Sequence, residues 1–117
     1  MGLKPIAHQF ADIPDPGDAA AIPAHLGGVV KLVTAGAETR TLAAPTCPVG
    51  SKLVLALDTD GGNCVITVTS AFNVAANNTI TLADVSECVT LQVITKAGAL
   101  RWSVLHSDLN NGTLTTA

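Results

Sequence analysis

His106-Ser107-Asp108 sets the three residue types of a nucleophilic triad side by side. A triad works only when its groups converge from separate loops into one hydrogen-bonded chain, so adjacency alone builds nothing. No Gly-x-Ser-x-Gly elbow accompanies it. Asp58-Thr-Asp60-Gly-Gly-Asn63 has oxygen ligands at alternating positions, as calcium loops do. Such a loop needs an oxygen ligand fifth, a glycine sixth and a glutamate twelfth. Gly62, Asn63 and Thr69 stand at those places instead. A hairpin turn explains the same letters, because Asp, Gly and Asn tolerate positive φ. The two glutamates, Glu38 and Glu87, each fall at or near an expected strand start, and nothing singles out a carboxylate pair for hydrolysis.

Cys47, Cys64 and Cys88 form an odd set that cannot pair completely within one chain. Their spacing lacks the paired C-x-x-C of zinc sites, so they are expected as small buried hydrophobes. Cys47 sits between Pro45 and Pro48 in a loop, which leaves exposure open as the alternative for it. His8 and His25 belong to no ligand motif, and no phosphate-binding or dinucleotide-binding glycine loop occurs. Asn77-Asn-Thr and Asn111-Gly-Thr fit the glycosylation acceptor pattern but read as turns. The chain is therefore expected to be no enzyme and to hold no cofactor and no metal.

The elements that would position these residues divide the chain in three. Residues 1–27 carry Pro5, Pro14, Pro16 and Pro23, which forbid a long helix and push the preceding residues toward extended or turn conformations. A short helical turn at Asp18–Ala21 is allowed by an Asp cap and three alanines. This segment reads as an extended arm laid over its own domain or a neighbour. Ile6, Phe10, Ile13, Pro14, Pro16, Ile22 and Pro23 are its candidate partner-binding residues.

Residues 28–108 read as an all-β domain. Val29–Val33, Glu38–Ala43, Lys52–Leu57, Cys64–Ser70, Thr79–Leu82, Glu87–Thr95 and Leu100–His106 are short runs rich in Val, Ile and Thr, separated by turn letters. Lys96-Ala97-Gly98 suits a bulged hairpin between the last two. The pattern predicts a single small β-sandwich or β-barrel, jelly-roll-like, with residues 109–117 as a tail or edge strand. Ile66, Val68, Ile80, Leu82, Val89, Leu91, Val93, Leu100, Trp102 and Val104 share one face. Val54, Val65, Ile94 and Leu105 have the opposite parity, and a sheet apolar on both sides needs two covers. These four are the candidate oligomer interface.

Composition narrows the partners. The chain of 117 residues is 48% hydrophobic but 3% aromatic, a poor inventory for stacking sugars or bases. Six basic residues against nine acidic ones leave a net charge of -3 and no basic stripe, so no nucleic-acid partner is expected. No apolar run reaches the length of a membrane span, and the first ten residues lack a secretory apolar region. No membrane partner is expected.

IPDPGDAAAIP, followed by VTAGAETRTLAAPTCPVGSKLVLALDTDGG, resembles small structural proteins of tailed-phage genomes. DGGNCVITVTS, NNTITLADVSECVTL and GALRWSVLHSD continue the likeness over residues 12–108. The family is the capsid decoration, or cement, proteins. The resemblance implies a homo-oligomer, a trimer above all, that binds the major capsid protein on the capsid exterior of a virion assembled in host cytoplasm. Arms commonly clamp neighbouring coat subunits in such proteins, and removal of residues 1–27 is expected to abolish binding while the β domain stays folded. The competing reading is a receptor- or glycan-binding knob of a tail or head fibre, with Phe72 and the 58–63 loop as its site. A third, a hydrolase, would rest on His106, Asp108 or Glu87.

Overall fold

The computed structural model of the chain describes residues 11–69 and 78–115. Ile6, His8, Phe10 and Phe72 lie outside the described residues. The strands are β1 (Ala11–Pro14), β2 (Ala20–Ile22), β3 (Gly28–Val33), β4 (Glu38–Leu42), β5 (Lys52–Thr59), β6 (Cys64–Val68), β7 (Asn78–Leu82), β8 (Cys88–Lys96), β9 (Ala99–Asp108) and β10 (Thr113–Thr115). No helix occurs among the described residues. Two five-stranded sheets form, in the orders β1-β3-β5-β8-β9 and β10-β7-β6-β4-β2. The first is called sheet A and the second sheet B. The chain is an all-β sandwich, as the strand pattern predicts.

Its connectivity departs from the antiparallel jelly roll. From β1 to β6 the chain changes sheet after every strand, so β1, β3 and β5 pair in parallel, as do β2, β4 and β6. Each pass lays one strand on each sheet, and three passes stack as a short two-sheet coil. From β6 onward every pairing is antiparallel, with hairpins β6–β7 and β8–β9. The coil aligns apolar residues in rows across the sheets. Ile13, Val30, Leu55 and Val89 form one row of sheet A, and Ile22, Leu42 and Val68 one of sheet B. Alternation sends these rows inward. The core they build also holds Leu32, Leu53, Leu57, Ile66, Ile80, Leu82, Leu91, Val93 and Trp102, all without exposure. Trp102 reaches across to donate its Nε1–H to the Ala43 carbonyl at 2.9 Å, joining the two sheets at the end where β4 leaves.

Residues 11–27 are tied into this body. β1 and β2 are the edge strands of the two sheets, and Ile13 and Ile22 are buried in the chain's own core. At 5% and 2% exposure, these two side chains present little surface to a partner in this fold. Of the two surfaces an arm could cover, Ile13 and Ile22 take their own domain's. Pro14 is exposed, and Pro16 and Pro23 are half-buried. Pro14 can end β1 because an edge strand has one side on which no ladder N–H is needed. The helical turn at 18–21 gives way to a turn at Asp18–Ala19 and then β2, with Ala19 at φ 61°. At the other terminus, β10 adds to the edge of sheet B.

Candidate functional site

The crossovers 15–19, 34–37, 60–63, 83–87 and 109–112 all gather at one end of the sandwich, because β1, β3, β5, β7 and β9 run toward it. The charged groups that the fold buries are there. Arg40 has core-facing parity in β4 and is 1% exposed. Its guanidinium donates through Nε and Nη2 to the two oxygens of Asp15, both at 2.8 Å, a bidentate pair. Nη2 also reaches Glu38 Oε1 at 2.9 Å and the Val33 carbonyl at 3.2 Å, while Nη1 donates to the Thr39 carbonyl at 3.0 Å. Asp15 further accepts from the backbone N–H groups of Gly17 and Val33, both at 3.1 Å. Burial works to raise the Asp15 carboxyl, but Arg40 and the two N–H groups prevail and hold it below its ordinary value. The hydrogen bonds from Asp15, opposed by burial and aided by Glu38, make Arg40 still harder to deprotonate. The 15–19 crossover and the two strand ends that flank 34–37 are thereby clamped to one side chain.

Turn stacking completes that end. Thr34, 2% exposed, donates its hydroxyl to the Gly62 carbonyl at 2.7 Å and accepts from Gly61 N–H at 3.0 Å. The third turn lies so close beneath the second that a Cβ on Gly61 would overlap the Thr34 carbonyl oxygen. On Gly62 it would meet the Gly36 and Ala37 backbone. The letters DTDGGN thus serve backbone contact between coils. Among the described residues, no group of three or more His, Cys, Asp or Glu side chains is arranged to hold a metal ion.

Glu87 organises the later crossovers. It is 4% exposed and accepts four backbone N–H groups: Ala83 at 2.6 Å on Oε1, and Asn110, Asn111 and Gly112 at 2.6, 2.7 and 2.9 Å on Oε2. Burial would raise its pKa, yet the N–H groups of Ala83, Gly112, Asn110 and Asp84 bring it down to about 2. Asp84 beside it accepts from the side-chain amides of Asn110 and Asn111 at 3.0 and 2.7 Å. Asp84, Val85, Ser86, Glu87, Asp108 and Asn110 line an open depression of about 230 Å³. Its carboxylates are chiefly acceptors for the chain's own N–H groups, and Glu87 is ionised throughout the neutral range. Of the candidate hydrolase residues, Glu87 and Asp108 share this depression, while Ser107 faces away from His106 and Asp108. His106, Ser107 and Asp108 pair with Thr90, Val89 and Cys88 on β8 and so alternate across β9.

The outer faces carry the remaining candidates. Val54, Ile94 and Leu105 share the outer face of sheet A but not one patch: Val54 sits in the row Asp12–Val29–Val54–Thr90–His106, and Ile94, four positions along β8 from that row, pairs with Arg101. Leu105 is 51% exposed at the bulge of β9. Val65 lies on the opposite face of the molecule. There it joins the row Thr39–Val65–Thr81–Thr113, beside a second row, Thr41–Thr67–Thr79–Thr115. Sheet B thus presents hydroxyls and methyls with no charge among them. Cys47 is buried despite its loop position: it is 3% exposed, its Sγ 3.7 Å from the Ala24 carbonyl. Cys64 is buried as expected, and burial, only partly offset by Arg40, pushes its thiol up to about 11. Cys88 is half-buried, and burial together with Asp108 raises it.

No protein-family model matches the chain, and a search of curated proteins finds no relative. Sequence reasoning passed over Arg40 and Asp15. The available signal was an arginine at the inward position of the alternating run Glu38–Leu42, which only a buried carboxylate could accommodate. Glu87 drew notice as an acid, whereas its four N–H partners come from two segments no spacing rule would join.

Proposed function

We propose that the chain is a virion structural protein that decorates a tailed-phage capsid, binding the major coat protein as a homo-oligomer. One observation carries this reading. The buried Arg40 and Glu87 and the half-buried Asp15 and Glu38 are spent on the chain's own crossovers, while the outer faces carry an apolar and hydroxylic patch on sheet A (Val29, Val54 and Thr90, beside Lys31 and Lys52) and uncharged threonine rows on sheet B. A rigid plate with two adhesive faces suits a protein whose work is to join surfaces. The resemblance of residues 12–108 to decoration proteins supports the same assignment. No catalytic step is invoked, and the coat protein and the chain itself are the partners.

The test is co-sedimentation of the purified chain with capsids stripped of it, followed by heating. Saturable binding that raises the temperature of capsid rupture is expected. Absence of co-sedimentation at saturating protein would discard the reading, and selective capture on a glycan array would replace it with the fibre-knob alternative.

A further inference from the structure

Among the described residues β9 is the longest strand, and it stands at the edge of sheet A with no described strand beyond it. An open edge is a row of unpaired N–H and C=O groups, a template for a second chain unless it is blunted. The other edges are short. β1 has four residues and ends on Pro14, β2 has three and precedes Pro23, and β10 has three. β9 is also where an unpaired cation sits. Arg101 donates through Nη1 to the Leu100 carbonyl at 3.1 Å, but its buried Nε finds no acceptor. Among the described residues no carboxylate forms an ion pair with it. Asp108, at the far end of the same strand, is exposed and likewise lacks a cation among them.

The bulge decides how these two charges are placed. Arg101 and Asp108 are an odd number of positions apart, which in a regular strand puts them on opposite faces. The extra residue, Leu105, resets the alternation, so Arg101 pairs with Ile94 and Asp108 with Cys88, both on the outer face. An antiparallel, two-fold pairing of β9 with a second β9 can then set Arg101 opposite the partner's Asp108, and the reverse. Ser103 falls opposite the partner's His106 on the same face, and Trp102 opposite the partner's Ser107 on the inner one. At the centre each Leu105 falls opposite the partner's Val104 and diagonal to the partner's Leu105, an apolar centre flanked by opposite charges. A lone edge charge repels a second copy; opposite charges placed symmetrically about the strand's centre favour it.

We propose that the β9 edge is the site at which two copies join, forming one continuous ten-stranded sheet held by reciprocal Arg101–Asp108 ion pairs. The inference rests on the homo-oligomer of the decoration reading and on no other part of it. The contact is isologous, so it closes at two copies and leaves both outer faces free for a coat.

Light scattering of the full chain during size exclusion tests this. A mass of two chains is expected, with R101D and D108R each weakening association roughly tenfold and the combined R101D/D108R exchange restoring it. Fluorescence of Trp102, the single tryptophan, checks that every variant is folded. A monomer at high concentration, a three-chain mass, or single reversals without effect would overturn the β9 contact. Capsid binding is read separately. A dimer that ignores capsids overturns decoration and leaves the contact standing, whereas a capsid binder that is not a dimer does the opposite.

Discussion

At the scale of single residues, two buried charges hold the crossovers and make opposite demands on substitution. Arg40 satisfies Asp15 and Glu38 at once, so R40M strands two largely desolvated carboxylates, each 15% exposed, without their cation. A loss of about 3 kcal/mol is expected in urea unfolding, and an unchanged midpoint would show that the clamp is dispensable. Glu87 offers a pH signature. Its folded value of about 2 lies below the ordinary 4.5, so the stability it contributes is complete above about 4.5. That stability drains away as pH falls through about 2, and Asp15, also lowered, acts in the same direction. Across that window the contribution is on the order of 3 kcal/mol. E87Q turns an amide toward N–H groups that need an acceptor, so it should destabilise the neutral protein and flatten the acid limb of a urea-midpoint profile. A wild-type limb in E87Q would move the acid sensitivity to another group.

Among the elements, strand positions were legible and partners were not. Val, Ile and Thr alternation fixes where β3 to β9 run, because a half-buried sheet demands period two whatever its neighbours. Alternation is silent about direction. The coil of β1 to β6 is parallel because each strand is followed by a change of sheet, and that choice is made by crossovers whose contacts are backbone to backbone. The turn letters DTDGGN read locally as a hairpin signal, yet Gly61 and Gly62 are small because the turn above leaves no room. β1 and β2 escaped notice because proline punctuates them, and proline argues against a strand only in a sheet's interior. The threonine rows likewise depend on register, which juxtaposes Thr41, Thr67 and Thr79 from distant segments. G62A tests the stacking. Its Cβ meets main chain, which cannot step aside as a side-chain tip can, so a loss of about 1–3 kcal/mol is expected. An unaltered thermal midpoint would mean the turns separate freely.

For the whole molecule, the coil changes what a truncation can report. An arm that merely lies on a finished domain can be removed to ask what it binds. Here the cut at residue 27 strips an edge strand from each sheet and opens the rows that Ile13 and Ile22 begin. Each isoleucine buries a side chain worth roughly 2–3 kcal/mol, and Asp15, the main partner of Arg40, leaves with them. Loss of capsid binding by that fragment would follow from damage to the fold and say nothing of a strap. A cut at residue 10 removes no described pairing, because the register of β1 on β3 starts with Ala11 and Gly28. The shorter truncation should therefore keep a cooperative urea transition and a buried Trp102 emission, while the longer one shifts its midpoint down sharply or fails to fold. Only then does capsid binding by the 11–117 chain carry meaning. Full occupancy would assign adhesion to the sheet faces, and lost occupancy on an intact fold would assign it to residues 1–10, with Ile6 and Phe10 as the anchors to substitute next. Equal stability of the two truncations would instead make β1 and β2 the detachable arm that the prolines suggested.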